Sequence, residues 1–148
     1  MSAADAHAAR IGLVFMAWYA AHHYADHWGQ DHRDAIAKGK PGREGRAACA
    51  RHVANLTATK LAALAAAGAA TGIRLSPRRV AIAMAADAAT HYVIDRRTPL
   101  RRLALVLGKA DFYDLGDAMA APCGSGAYAL DQSAHLTVLA AAALYAGR

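Results

Sequence analysis

Three segments of this chain pair a histidine with an aspartate four residues away: His22 with Asp26, His91 with Asp95, and Asp131 with His135, the last in reverse order. Side chains four apart on a helix lie on one face, one turn above another. Each pair can therefore offer an imidazole and a carboxylate to a single point. A fourth histidine, His52, stands alone among apolar neighbours. A His and a carboxylate so placed can share a cation, or the carboxylate can orient the ring as an outer partner. This donor mixture suits zinc, manganese or iron better than calcium or magnesium. His22, Asp26, His52, His91, Asp95, Asp131 and His135 are thus the candidate ligands of a divalent metal, zinc or manganese. Seven ligands exceed one tetrahedral site. They suffice for two ions about 3.5–4 Å apart, holding a water as nucleophile.

Three further residues attach to this set. Gln30 continues the first row as H-x3-D-x3-Q, and Gln132 adjoins Asp131; both are expected to orient water or substrate. Lys38 follows in a Gly/Pro-rich loop, where it can meet an anion. A single His–Asp pair is ordinarily a surface ion pair of little worth, but three such pairs on three helices are less easily dismissed. The four-residue spacing to Asp26 selects His22 over His23. His7, His23, His27 and His32 are expected at the surface. Asp87 extends the His91–Asp95 row backwards by one turn. Cys49 and Cys123 form no C-x-x-C pair and read as reduced structural thiols. Ser125 and Ser133 lack a nucleophile-elbow setting, and Gly124-Ser125-Gly126 lacks the Lys of a phosphate loop.

The ordered pattern H-x3-D-x3-Q, a following Lys, a lone His, H-x3-D and finally D-Q-x2-H resembles an uncharacterised family of small bacterial and phage proteins, usually described as multi-pass membrane proteins. The similarity runs from about residue 20 to residue 136. It is most specific in HHYADHWGQ and DQSAH, and it departs from the family where His27 follows the first Asp. The resemblance implies that the motif residues act together, and it supplies no activity. The clustered His and Asp are also distantly similar, at fold level, to the helical zinc-dependent phospholipase C group.

The elements that must position these residues are helices. The chain has 148 residues, 56% hydrophobic and 19% charged, which suits one compact domain spanning 1–148. Alanine, the best helix former, dominates, and no hairpin turn separates alternating runs. Helices are expected over 8–28, 47–71, 77–95, 100–108 and 128–146. The segment 29–46 reads as a loop or broken short helix, and 109–127 as loop. Ser76-Pro77 supplies a cap and a first-turn proline. The fold expected is an all-α bundle of four to five helices, with membrane association open.

Charge and hydropathy limit the partners. The formal charge is +6 and the pI near 9.7. However, the Lys and Arg gather between helices with no aromatic interleaving, which argues against specific nucleic-acid binding. A small-molecule or lipid-like anionic substrate fits better. The apolar run at 11–21 leads into HHYADHWGQ rather than a cleavage site. Windows free of Asp, Glu, Lys and Arg fall short of the ~18–20 residues of a clear span, so any span must carry inward-facing ionisable groups such as Lys60, Asp87 or Asp131. The bacterial cell membrane and the cytoplasm both stay open as locations. The function expected is a metal-dependent hydrolase acting on an anionic, phosphoester-like substrate. The alternatives are a non-catalytic membrane or scaffold protein with a structural polar network, and a proton or ion pathway.

Overall fold

The structure, a computed structural model, describes residues 2–118 and 121–148. Helices make up the regular structure of those residues, with no strand among them. Four are long: α1 (Ala3–His27), α3 (Gly42–Thr71), α4 (Pro77–Asp95) and α7 (Gly126–Ala146). Three are short: α2 (His32–Ala37), α5 (Thr98–Val106) and α6 (Ala110–Tyr113).

Local chemistry sets the boundaries. Ser2 and Asp5 form a reciprocal capping box that starts α1 five residues before the apolar periodicity suggests. Asp31 accepts from the amides of Arg33 and Asp34 and so caps α2, the short helix that the segment 29–46 offered as one of its two readings. Gly72, at φ 69°, closes α3 in the left-handed conformation that glycine tolerates. Ser76 and Pro77 open α4 as their types require, and Ser125 caps α7 through the Tyr128 amide.

The long helices pack as an antiparallel ring in the order α1, α3, α4, α7. At one end of the bundle the start of α1 meets the end of α7: Gly147 lies against Ile11, and Arg79 at the start of α4 donates to the Arg148 carbonyl. The core in that half is apolar, built from Val14, Trp18, Leu64, Ala83, Met84, Leu139 and the small residues Ala142, Ala143 and Ala146. Alanine and glycine let the backbones come close. A Cβ on Gly126 would collide with the Phe112 carbonyl, so α6 seats directly on the first turn of α7.

The other half of the bundle is polar inside. His22, His52, Lys60, Asp87, His91, Asp95 and His135 are all buried there. Their rows follow from helix geometry. His52, Leu56 and Lys60 lie one above another on α3, and Asp95, His91 and Asp87 do so on α4. Because α3 and α4 run in opposite directions, His52 faces His91 and Asp95 while Lys60 faces Asp87. Lys60 Nζ donates to Asp87 Oδ2 at 2.7 Å. The ion pair separates the apolar half from the His/Asp layer.

Candidate metal centre

The seven candidate ligands converge. α1 brings His22 and Asp26, α3 brings His52, α4 brings His91 and Asp95, and α7 brings Asp131 and His135. The tightest part lies between α1, α3 and α4. His52 Nε2 sits 3.1 Å from His91 Nε2, 3.0 Å from Asp26 Oδ1 and 3.3 Å from Asp95 Oδ2. His91 Nε2 sits 3.2 Å from Asp95 Oδ2 and 3.8 Å from Asp26 Oδ1. Four ligand atoms about 2.0–2.2 Å from one tetrahedral ion would stand about 3.3–3.6 Å apart. The five separations above, from 3.0 to 3.8 Å, are of that order and describe how each imidazole meets its neighbours.

Bonding within the cluster is incomplete in a way a cation would complete. The short His52–His91 contact needs one ring to donate and the other to accept. Asp26 Oδ1, Asp95 Oδ2, His135 Nε2 and both ring nitrogens of His22 are buried without any hydrogen-bond partner of sound geometry. Buried polar atoms without partners are rare in folded proteins, because each costs about 1–3 kcal/mol. Here several orphaned acceptors and ring nitrogens point at a shared centre. Two groups have donor atoms close enough to hold an ion: Asp26, His52 and His91; and His91, Asp95 and His135.

Around this core the remaining candidates take distinct places. His22 Nε2 is 3.4 Å from Asp26 Oδ2, and Gln132 Nε2 donates toward the same oxygen at 3.4 Å and toward Asp131 Oδ2 at 3.3 Å. His135 Nε2 lies 3.6 Å from both Asp131 Oδ2 and Asp95 Oδ1. The Asp131 side chain is 24% exposed, which marks the mouth of the site. Gln30 is half-buried and its Nε2 has no partner. Lys38, expected as a clamp for an anion, instead has its Nζ 3.0 Å from Asp95 Oδ1, with its side chain 13% exposed.

Lys38 is held there by the strap that carries it. Asp95, Arg96 and Arg97 are consecutive. Asp95 binds the Lys38 ammonium, Arg96 donates to the Lys38 and Lys40 carbonyls, and Arg97 donates to the Ala35 carbonyl at 3.2 Å. The tight approach of Gly45, where a Cβ would strike the Lys40 carbonyl, seats the same strap on α3. At its outer edge Arg51 Nε donates to Asp34 Oδ2 at 3.0 Å, and this hydrogen bond holds the Asp34 carboxyl below the ordinary carboxylate range.

The selection of His22 over His23 agrees with burial, since His22 is fully buried and His23 only half-buried. His27 is exposed, and its Nε2 pairs with the Tyr128 hydroxyl at 2.9 Å across the mouth. Cys49 is buried and bonds the Tyr92 carbonyl. The Lys60–Asp87 pair is the part of the polar interior that motif reasoning did not assemble. Its signal was present: Lys60 stands eight residues beyond His52, on the same row.

No family model, curated protein or solved structure matches this chain.

Proposed function

We propose that this protein is a metal-dependent hydrolase of an anionic, phosphoester-like substrate, built around a divalent ion held by Asp26, His52, His91 and Asp95. The observation that carries the reading is the meeting of His52 and His91 with the carboxylates of Asp26 and Asp95 in a buried layer, each ring nitrogen 3.0–3.8 Å from a carboxylate oxygen. Zinc or manganese fits the donors. Such an ion acts as a Lewis acid and brings the pKa of a bound water near 7. Gln132, which contacts Asp26 and Asp131, would orient water or substrate, while Lys38 is held by Asp95.

Purified protein is expected to retain a stoichiometric transition metal by elemental analysis and to lose it with chelator. A chromogenic phosphodiester should be hydrolysed only by the metal-loaded form. Metal-free protein that takes up no zinc or manganese, with His91→Ala leaving the fold and content unchanged, would overturn the reading in favour of a structural network or proton path.

A second reading concerns location, and the outer surface favours it. Among the described residues one helix, Gly42–Thr71, is long and apolar enough to cross a membrane. Over the middle stretches of the long helices the charged side chains point inward. Between Arg10 and Asp26 on α1, and between Asp131 and Arg148 on α7, no Asp, Glu, Lys or Arg occurs. Between Arg51 and Arg74, and between Arg79 and Arg96, the charged residues are Lys60, Asp87 and Asp95, all buried. The outward positions include Phe15, Met16, Leu61, Ile82, Val93 and Leu144. The outer faces between these charges run about 22–30 Å at 1.5 Å per residue, close to the ~30 Å hydrocarbon thickness, with a charged residue at each end, arginine or aspartate. We infer insertion in the bacterial cell membrane, in line with the resemblance to multi-pass proteins. It would set the mouth at the level of headgroups, so a lipid-like anionic substrate fits. Resistance to alkaline carbonate extraction is the expected result; release into the supernatant would refute it.

A further inference from the structure

The two oxygens of Asp95 face different partners. Oδ2 looks toward His52 and His91, at 3.3 and 3.2 Å. Oδ1 looks the other way, toward His135 Nε2 at 3.6 Å and Lys38 Nζ at 3.0 Å. An ion held by Asp26, His52, His91 and Asp95 Oδ2 therefore leaves Asp95 Oδ1, His135 and Asp131 unused. His135 is buried, its Nε2 has no hydrogen-bond partner, and Asp131 Oδ2 lies 3.6 Å away. These three atoms form a second, incomplete ligand set on the open side of the first.

We propose that the centre is dinuclear, with Asp95 bridging: the inner ion lies among Asp26, His52 and His91, and the outer ion is held by Asp95 Oδ1, His135 and Asp131. This rests on the metal reading above and adds a second ion with its own ligands. The geometry fits a bridging carboxylate, which holds two ions about 3.5–4 Å apart. The outer ion has three protein ligands and faces the mouth, the arrangement that leaves coordination positions free for water and substrate.

Charge explains Lys38. Asp26, Asp95 and Asp131 carry three negative charges, which one divalent ion and the Lys38 ammonium balance. The ammonium occupies Asp95 Oδ1, the oxygen an outer ion needs. Loading the outer position displaces Lys38 from Asp95 and leaves positive charge in excess at the mouth, where an anionic substrate can meet both the ion and the freed ammonium. Lys38 is then a resident competitor of the second metal and a positioning residue for the anion.

The test is stoichiometry. Apo-protein is titrated with manganese, and bound metal is counted by equilibrium dialysis with elemental analysis. Two ions per chain are expected for the native protein, and one for His135→Gln and for Asp131→Asn. Lys38→Met should keep two ions and bind the second at least tenfold more tightly, because its competitor is gone. Electron paramagnetic resonance of the native protein provides a measurement independent of variant folding. Two ions sharing Asp95 give an exchange-coupled multiline signal, whereas a lone ion gives six lines. One ion per chain at saturation, or two ions that survive both His135→Gln and Asp131→Asn, overturns the dinuclear proposal while leaving a mononuclear centre standing. No bound metal at all overturns both.

Discussion

Lys60 and Asp87 provide the most direct test of how the polar interior is held. Their side chains are buried, at 0% and 2% exposure, and Nζ and Oδ2 meet at 2.7 Å. Lys60→Met removes the ammonium and leaves a carboxylate facing an apolar layer. Removing one partner of such a pair costs about 3–5 kcal/mol, because the remaining charge is uncompensated. For a chain of this size each kcal/mol shifts the melting temperature by about 2–4 °C, so the single variant should melt roughly 6–20 °C lower. Asp87→Leu should do the same by stranding Lys60. The double variant Lys60→Met/Asp87→Leu fills the space with apolar volume and should recover most of the loss, since replacing both ions is often neutral or better. Circular dichroism melts of the four proteins, in the detergent or buffer that keeps them monodisperse, give the coupling directly. Single variants within about 2 °C of native, or a double variant as unstable as the two losses added, would refute the assignment of a tightly coupled buried pair. Metal content retained by the double variant would also mark the pair as support for the site rather than part of it.

Other outcomes follow from the same geometry. His91→Ala removes the nitrogen common to both ligand groups. A four-ligand site binding with about 10–16 kcal/mol assigns about 3 kcal/mol to each ligand, so zinc affinity by chelator competition should fall roughly 100-fold or more; a change under threefold would contradict ligation. Gly126→Ala forces the Phe112 carbonyl away from α7, which should cost about 1–3 kcal/mol in thermal unfolding with metal stoichiometry unchanged.

The sequence made the inner faces readable because helix periodicity is local. Three i, i+4 pairs and a lone His52 mapped onto four helices, and the long helices ended near Gly72, Asp95 and Ala146 as composition suggested. Elements whose signals are weak or depend on distant contacts were harder. The capping box at Ser2 lengthened α1, and Asp31 alone specifies α2. Gly42 to Arg46 join α3 because the strap packs on them. Lys38 was legible as a cation near the site, yet its partner Asp95 lies 57 residues away and only the fold brings them together. Lys60 was legible as an ionisable group that any span must turn inward, but not its partner. Its partner Asp87 faces it only once α3 and α4 are set antiparallel.

The division of the bundle into an apolar and a polar half bears on why the site can be so poorly paired. Val14, Trp18, Leu64, Met84 and Leu139 pack together at the end remote from the mouth, and burial of such side chains contributes about 1.5–3 kcal/mol each. That half can hold the helices in register without help from the histidines. The polar half is then free to keep carboxylate oxygens and ring nitrogens without partners, a cost a fold tolerates where another layer supplies the stability. On this argument truncation in the two halves should have opposite signatures. Leu139→Ala removes a fully buried side chain from the apolar layer and should cost about 2–5 kcal/mol, with metal affinity preserved wherever the chain stays folded. Asp26→Asn should leave the fold nearly intact and weaken metal binding sharply. If instead Asp26→Asn unfolded the chain while Leu139→Ala did not, the polar layer would be what holds the bundle together, and the orphaned atoms would need an explanation other than a cation.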